Sequence, residues 1–159
     1  MERLTLDTSA VITAFEPTRG GHAAMQRLVT EWRAGHWRLC VSRRTLAELQ
    51  KKPDDKLTFA EQLEVLPYYM IGTWDDFEER ITWADLAGTW NDAKANEKLQ
   101  KALPVRAKVG LRDRGILVDS MMAGVRRVVT TDQYVLDRAE GIEKATGVRP
   151  VDPDGLFKS

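Results

Sequence analysis

Four carboxylates, each in its own segment, border stretches with the character of strands or helices. Asp7 closes the apolar run Leu4-Thr5-Leu6 and precedes Thr8-Ser9-Ala10-Val11-Ile12. Glu48 lies in Ser42-Arg43-Arg44-Thr45-Leu46-Ala47-Glu48-Leu49, Asp113 opens Asp113-Arg114-Gly115-Ile116-Leu117, and Asp132 follows Val128-Val129-Thr130-Thr131. Acids gathered at strand ends and helix starts repel one another unless a cation sits among them. A divalent metal facing a phosphate ester meets that need, and the chemistry this implies is phosphodiester hydrolysis.

Each acid also has a plain structural use. An Asp after a strand caps the helix that follows, which applies to Asp7. Glu48 is a helix former placed to pair with Lys51 or Lys52. Asp113 is an N-terminal helix acid, and Asp132 is a turn residue. Asp119 competes with Asp113 for the third position. At 100° per residue Asp113 shares a face with Leu117, Ser120 and Gly124, the stripe expected to meet the sheet. Asp119 lies about 120° away and is expected to be solvated. Asp113 is therefore the choice and Asp119 the fallback. Thr8, Ser9, Thr130 and Asp137 are supporting candidates at the same edge, although Asp137 is equally placed to pair with Arg138.

These residues need a scaffold that converges strand ends. The periodicities predict strands at 4–7, 38–41, 68–71 and 128–131 and a last short strand within 146–153. Helices are expected after Asp7, over 23–34, after a Ser42 N-cap, over 73–103 and over 113–124. Alternating strands and helices imply a three-layer α/β/α sandwich with a mainly parallel sheet and an enlarged helical region around 73–104. In such sheets the working site lies beyond the carboxyl ends of the strands. One domain over 1–159 is the simplest division.

Composition narrows the class. The 159 residues are 43% hydrophobic and 30% charged, as expected of a globular chain, with no run approaching a membrane span. Met1-Glu2-Arg3 leads directly into an apolar strand, and the single Cys40 excludes an internal disulfide, so a cytoplasmic location is expected. Net charge is zero, which gives no bulk attraction to nucleic acid. Local charge differs: Lys98, Lys101, Arg106, Lys108, Arg112 and Arg114 are interrupted only by Asp113, Arg43 and Arg44 precede Glu48, and Arg126 and Arg127 precede Asp132. His22 and His36 have no metal-ligand spacing, and no Gly-rich phosphate loop is present. Trp74, Trp83 and Trp90 suit either the core or a partner face.

The acids and their surroundings resemble the PIN-domain ribonucleases, and among them the VapC-like toxins of type II toxin–antitoxin systems. Leu6-Asp7-Thr8-Ser9-Ala10-Val11 looks like the family's opening strand with its first acid. The segment around Glu48 looks like that of its Glu, and Asp113 with Val128-Val129-Thr130-Thr131-Asp132 looks like its last two acids. The resemblance implies a PIN-like fold and an endoribonuclease using Mg2+ (or Mn2+), with Asp7, Glu48, Asp113 and Asp132 catalytic. Asp7, Asp113 and Asp132 would hold the metal. Arg43, Arg44, Arg112 and Arg114 are the candidate RNA-binding residues. An RNA substrate, a small antitoxin protein and a homodimer are the implied partners. The stretch between Glu48 and Asp113 is longer than in compact members. Asp119-Ser120-Met121-Met122 also stands where small apolar residues are commoner. A phosphoaspartate hydrolase of the haloacid dehalogenase type would need an Asp where Ser9 stands. A non-toxin PIN nuclease in RNA processing and a catalytically silent PIN-fold interaction module are the remaining alternatives.

Overall fold

The computed structural model of the protein describes residues 1–68 and 111–158, the side chains of 111–113 excepted. Short apolar runs become strands because both of their faces find cover. β1 (Arg3–Leu6), β2 (Arg38–Val41), β3 (Glu64–Val65), β4 (Arg127–Val129) and β5 (Arg149–Val151) form one parallel sheet in the order β3-β2-β1-β4-β5. Leu4, Leu6, Leu39, Val41 and Val129 point to one side, where they pack with Ala10, Val11, Met25, Leu28 and Phe59. On the other side Val128 packs with Ile116, Leu117, Val118, Val135, Ile142 and Val148. Alternation of side-chain direction with period two thus places core on both faces, as a parallel sheet requires.

The covering helices on the first side are α1 (Thr8–Phe15), α2 (His22–Arg33) and α4 (Asp55–Ala60). Trp32 and Phe15 both meet the Phe59 ring edge-on there. The second side is covered by α5 (Leu111–Met122), α6 (Gln133–Leu136) and α7 (Ala139–Thr146). The helix α3 (Arg43–Gln50) touches α1, α4 and α5. It therefore bridges the two helical layers at the carboxyl end of β2. The expected three-layer sandwich is the fold observed, and every strand pairing described is parallel.

Three sequence expectations are corrected. The described third strand is Glu64–Val65; Tyr68, the first residue of the run expected at 68–71, follows it outside the sheet with its ring under the Arg44 guanidinium, and 69–71 lie outside the described residues. Helices α6 and α7, in a stretch assigned no structure from sequence, are opened by the Asp132 cap and closed by Gly147 at φ 77°. Arg126 and Arg127 do not flank Asp132: they enter β4 at its amino end, and the strand separates them from that acid. Arg38, Arg3, Arg127 and Arg149 begin β2, β1, β4 and β5 along that far edge. Glu64 pairs with Arg3 and Arg38, Glu2 with Arg127 and Glu143 with Arg149. The helical region around 73–104, with Trp74, Trp83 and Trp90, and the cations Lys98, Lys101, Arg106 and Lys108 lie outside the described residues.

Cys40 is fully buried on β2, and its thiol donates to Glu64 Oε2 at 3.0 Å. Burial, with the Glu64 carboxylate beside it, pushes the thiol up to about 12.

Candidate active site

The sheet changes direction of growth between β1 and β4. From β1 the chain moves outward to β2 and β3, and it returns to the other side for β4 and β5. At such a switch point the loops leaving the two central strands diverge and open a crevice at their carboxyl ends. Asp7 leaves β1 there, and its amide donates to Val129 O of β4 at 3.1 Å. Thr130, Thr131 and Asp132 leave β4 beside it.

Ser9 ties these two strand ends together. Its hydroxyl donates to Asp7 Oδ1 at 2.7 Å and accepts from the Thr131 amide at 3.0 Å. It also stands 3.4 Å from Thr130 Oγ1, which accepts from the Asp132 amide at 3.1 Å. Asp7 Oδ1 accepts from the Ala10 amide at 2.8 Å as well. Asp7 is therefore the N-cap of α1, and Asp132 caps α6 by accepting from the Tyr134 and Val135 amides. The capping use foreseen for Asp7 is realised, whereas Asp132, expected as a turn residue, also caps a helix; both caps hold their carboxylates at the switch point.

Asp7 is only 6% exposed. Burial pushes its carboxyl above the usual carboxylate range, and the charge of Asp132 pushes the same way. The Thr130 and Ser9 hydroxyls and the Ala10 amide oppose this without cancelling it. Asp7, Ile116, Leu117, Val128, Thr130 and Val135 line one small cavity. Its walls are mostly aliphatic, and among the described residues the groups acting on an ionised Asp7 are the Asp132 charge and the Thr130, Ser9 and Ala10 dipoles.

Glu48 comes from the facing helix. Thr8 Oγ1 donates to Thr45 Oγ1 at 3.2 Å, which places the Thr45 face of α3 against the start of α1. Glu48, one turn after Thr45, shares that face and is half-buried. The Asp113 backbone belongs to α5, one turn ahead of the Ile116 and Leu117 that line the Asp7 cavity; its side chain is outside the described set.

Asp119 corrects the single-face reading of α5. It is 1% exposed, not solvated. Residues 114–120 of this helix are all buried, so α5 has no polar side there. Asp119 Oδ2 accepts from Ser42 Oγ at 2.7 Å and stands 3.6 Å from Arg44 Nε. Arg44 and Arg114, expected on an RNA-binding rim, are each 1% exposed. Arg44 is packed between α3 and α5 with its guanidinium 4.3 Å above the Tyr68 ring. Arg43 is exposed, and the Arg112 side chain is outside the described residues. Asp137 accepts from Gln133 at 2.7 Å, not from Arg138, which stacks on Tyr134.

Sequence reasoning missed Arg19. It follows α1 in Arg19-Gly20-Gly21, and its guanidinium donates to Thr131 Oγ1 at 3.3 Å, next to Asp132. A cation just before a Gly-Gly break was the available signal, but nothing in the spacing ties residue 19 to residue 131.

Hard carboxylate and hydroxyl oxygens are the donor set, and they suit Mg2+ or Mn2+ in kind. Among the described residues no three His, Cys, Asp or Glu side chains stand close enough together to hold one ion. Asp7 and Asp132 are the described part of the set, with Glu48 on the facing helix.

Fold and site together define a doubly wound parallel α/β protein with acids at its switch point. No family model matches the chain, and no curated protein matches it in sequence. In three dimensions it is similar to a chain in the crystal structure of VapBC2 from Rickettsia felis bound to a DNA fragment from their promoter, with a TM-score of 0.53 and 16% identity. The match covers 94% of this chain and 98% of that one. At this identity the likeness is one of fold. No helix among the described residues is long and apolar enough to cross a membrane.

Proposed function

We propose that the chain is a metal-dependent endoribonuclease of the PIN type and the toxin of a toxin–antitoxin pair. The observation that carries this reading is the buried Asp7 beside Asp132 at the switch point of the sheet. Burying a carboxylate near a like charge is costly unless a cation joins them in the working state. The fold shared with the VapBC2 structure supports the toxin assignment and an antitoxin partner.

Asp7, Asp113 and Asp132 would hold Mg2+ or Mn2+, which when bound supplies Lewis acidity toward water and the phosphate oxygens. Ser9 fixes the Asp7 carboxylate and the β4 loop in one geometry. Glu48, facing them from α3, orients the attacking water and takes its proton. Arg19 and the exposed Arg43 hold the RNA phosphates on either side of the acids. The aliphatic cavity floor excludes bulk water and strengthens each of these charge interactions.

A silent interaction module is the second reading. It is favoured by the capping bonds that already occupy Asp7 and Asp132. Purified protein incubated with RNA separates the two: cleavage that chelator abolishes and Mg2+ or Mn2+ restores supports the nuclease. Intact RNA under every metal condition refutes it. Growth arrest on expression, and its relief by co-expressing any small gene that adjoins this one, tests the toxin role.

A further inference from the structure

We infer that Ser42, Asp119, Arg44 and Tyr68 form a buried clamp that sets α3 against α5, and that Asp119 is a positioning residue for the acids and not a metal ligand. This rests on the nuclease reading and deepens it. Ser42 begins where β2 ends, and Val41 is in register with Leu6, so Ser42 lies one strand over from Asp7. Its hydroxyl does two things: it accepts from the Arg44 amide at 3.1 Å, capping α3, and donates to Asp119 Oδ2 at 2.7 Å. The same Oδ2 stands 3.6 Å from Arg44 Nε. One carboxylate oxygen therefore touches both the cap and the second residue of α3.

Arg44 completes the clamp. Its side chain runs against α5 at Gly115, where a Cβ would land on the guanidinium. Its outer face is covered by Tyr68, arriving from β3. A planar, delocalised cation suits this slot, whereas an ammonium would lose the ring stack and the fit along the glycine. The same α3 carries Thr45, bonded to Thr8, and Glu48 one turn on. The same α5 carries Asp113 and the Ile116 and Leu117 walls of the Asp7 cavity. A shift of α3 relative to α5 therefore changes the spacing of Glu48 and Asp113 about Asp7, and metal sites tolerate little such error.

Both charges of the clamp are buried, so replacing the two together by apolar residues of similar volume costs less stability than removing either alone. That separates positioning from mere support. The test compares wild type, Arg44→Met, Arg44→Met/Asp119→Leu and Asp119→Asn for thermal melting, Mn2+ affinity by titration calorimetry, and kcat and KM on RNA. The double variant is expected to melt near wild type yet bind Mn2+ about 10- to 100-fold more weakly, the usual loss when outer support of a metal site is removed. Its kcat should fall in parallel while KM stays within about twofold. Asp119→Asn, which keeps the shape but leaves the buried Arg44 charge without the carboxylate, should melt below both wild type and the double variant. It should lie between them in Mn2+ affinity and kcat, and it decides the matter if the double variant does not fold.

Wild-type Mn2+ affinity and kcat in the folded double variant, or in Asp119→Asn should the double variant not fold, would overturn the clamp's role and leave the nuclease standing. Loss of all Mn2+ binding in Asp119→Asn, with Arg44→Met unaffected, would make Asp119 a ligand and also overturn it. Wild-type protein that neither binds Mn2+ nor cleaves RNA would remove the nuclease reading and this inference with it.

Discussion

Neutralising Asp7 should abolish cleavage while leaving the metal-free protein at least as stable as before. Asn keeps an oxygen where Asp7 Oδ1 accepts from Ser9 and Ala10, and Asn and Asp are equivalent N-caps, so the capping energy is retained. What disappears is the cost of a buried negative charge near Asp132. Asp7→Ala removes the charge and the cap together and should sit about 1 kcal/mol below Asp7→Asn. In a chain of this size that is about 2–4 °C in Tm. The sign with pH follows from the raised carboxyl. Below the ordinary Asp value both folded and unfolded chains are protonated at this site, and Asp7→Asn gains nothing. As pH rises from there to the raised folded value, the unfolded chain releases the proton first and the wild type loses stability. Each tenfold difference in proton affinity is about 1.4 kcal/mol, or roughly 3–6 °C. Melting in excess chelator should show Asp7→Asn level with wild type near pH 3, below the ordinary Asp value, and above it at pH 7. Its RNA cleavage in Mg2+ should fall about 100-fold or more, beyond the loss typical of an outer supporting residue. Wild-type cleavage by Asp7→Asn, or a melting curve as low as that of Asp7→Ala at every pH, would refute the reasoning.

Gly115→Ala should force Arg44 from its slot and cost about 1–3 kcal/mol, read as a lower urea midpoint with unchanged slope. Ser9→Ala strips one bond from Asp7 and leaves the Thr131 amide without its acceptor; a loss of about 1–3 kcal/mol with weaker Mn2+ binding is expected by melting and calorimetry. Arg19→Ala should raise KM for RNA several-fold at low salt with little change in kcat, an effect that fades above about 0.5 M salt as screening shortens.

Strand identity was largely legible because buried parallel strands are short apolar runs, and 4–6, 38–41 and 128–129 stand out as such. Asp7 and Ser42 were legible for a related reason: a small polar residue between a strand and a helix start is a cap, and capping fixes its direction; the cap made by Asp132, expected only as a turn residue, was not. The two-residue β3 was not legible, since Glu64–Val65 has no periodicity and owes its place to pairing with Cys40 and Val41. Asp119 was misread because a helical wheel assumes one wet face, whereas α5 is buried all round from 114 to 120. The buried Arg44 shows the converse: charge in a sequence marks a surface only when no internal partner of opposite sign is within reach, and its pairing with Asp119 across 75 residues leaves no trace in local spacing.

The buried Cys40 makes the protein its own stopwatch. With the thiol pushed up to about 12, only about one molecule in ten thousand carries the thiolate at pH 8, and Cys40 is fully covered besides. Alkylating reagents must therefore wait for the packing of Leu66, Val125 and Ala123 around Cys40 to open before they react. Because Cys40 is the single cysteine in the chain, the mass gained with time counts those openings one by one. A ligand seated at the far carboxyl end of the same strand would slow the count without touching the sulfur.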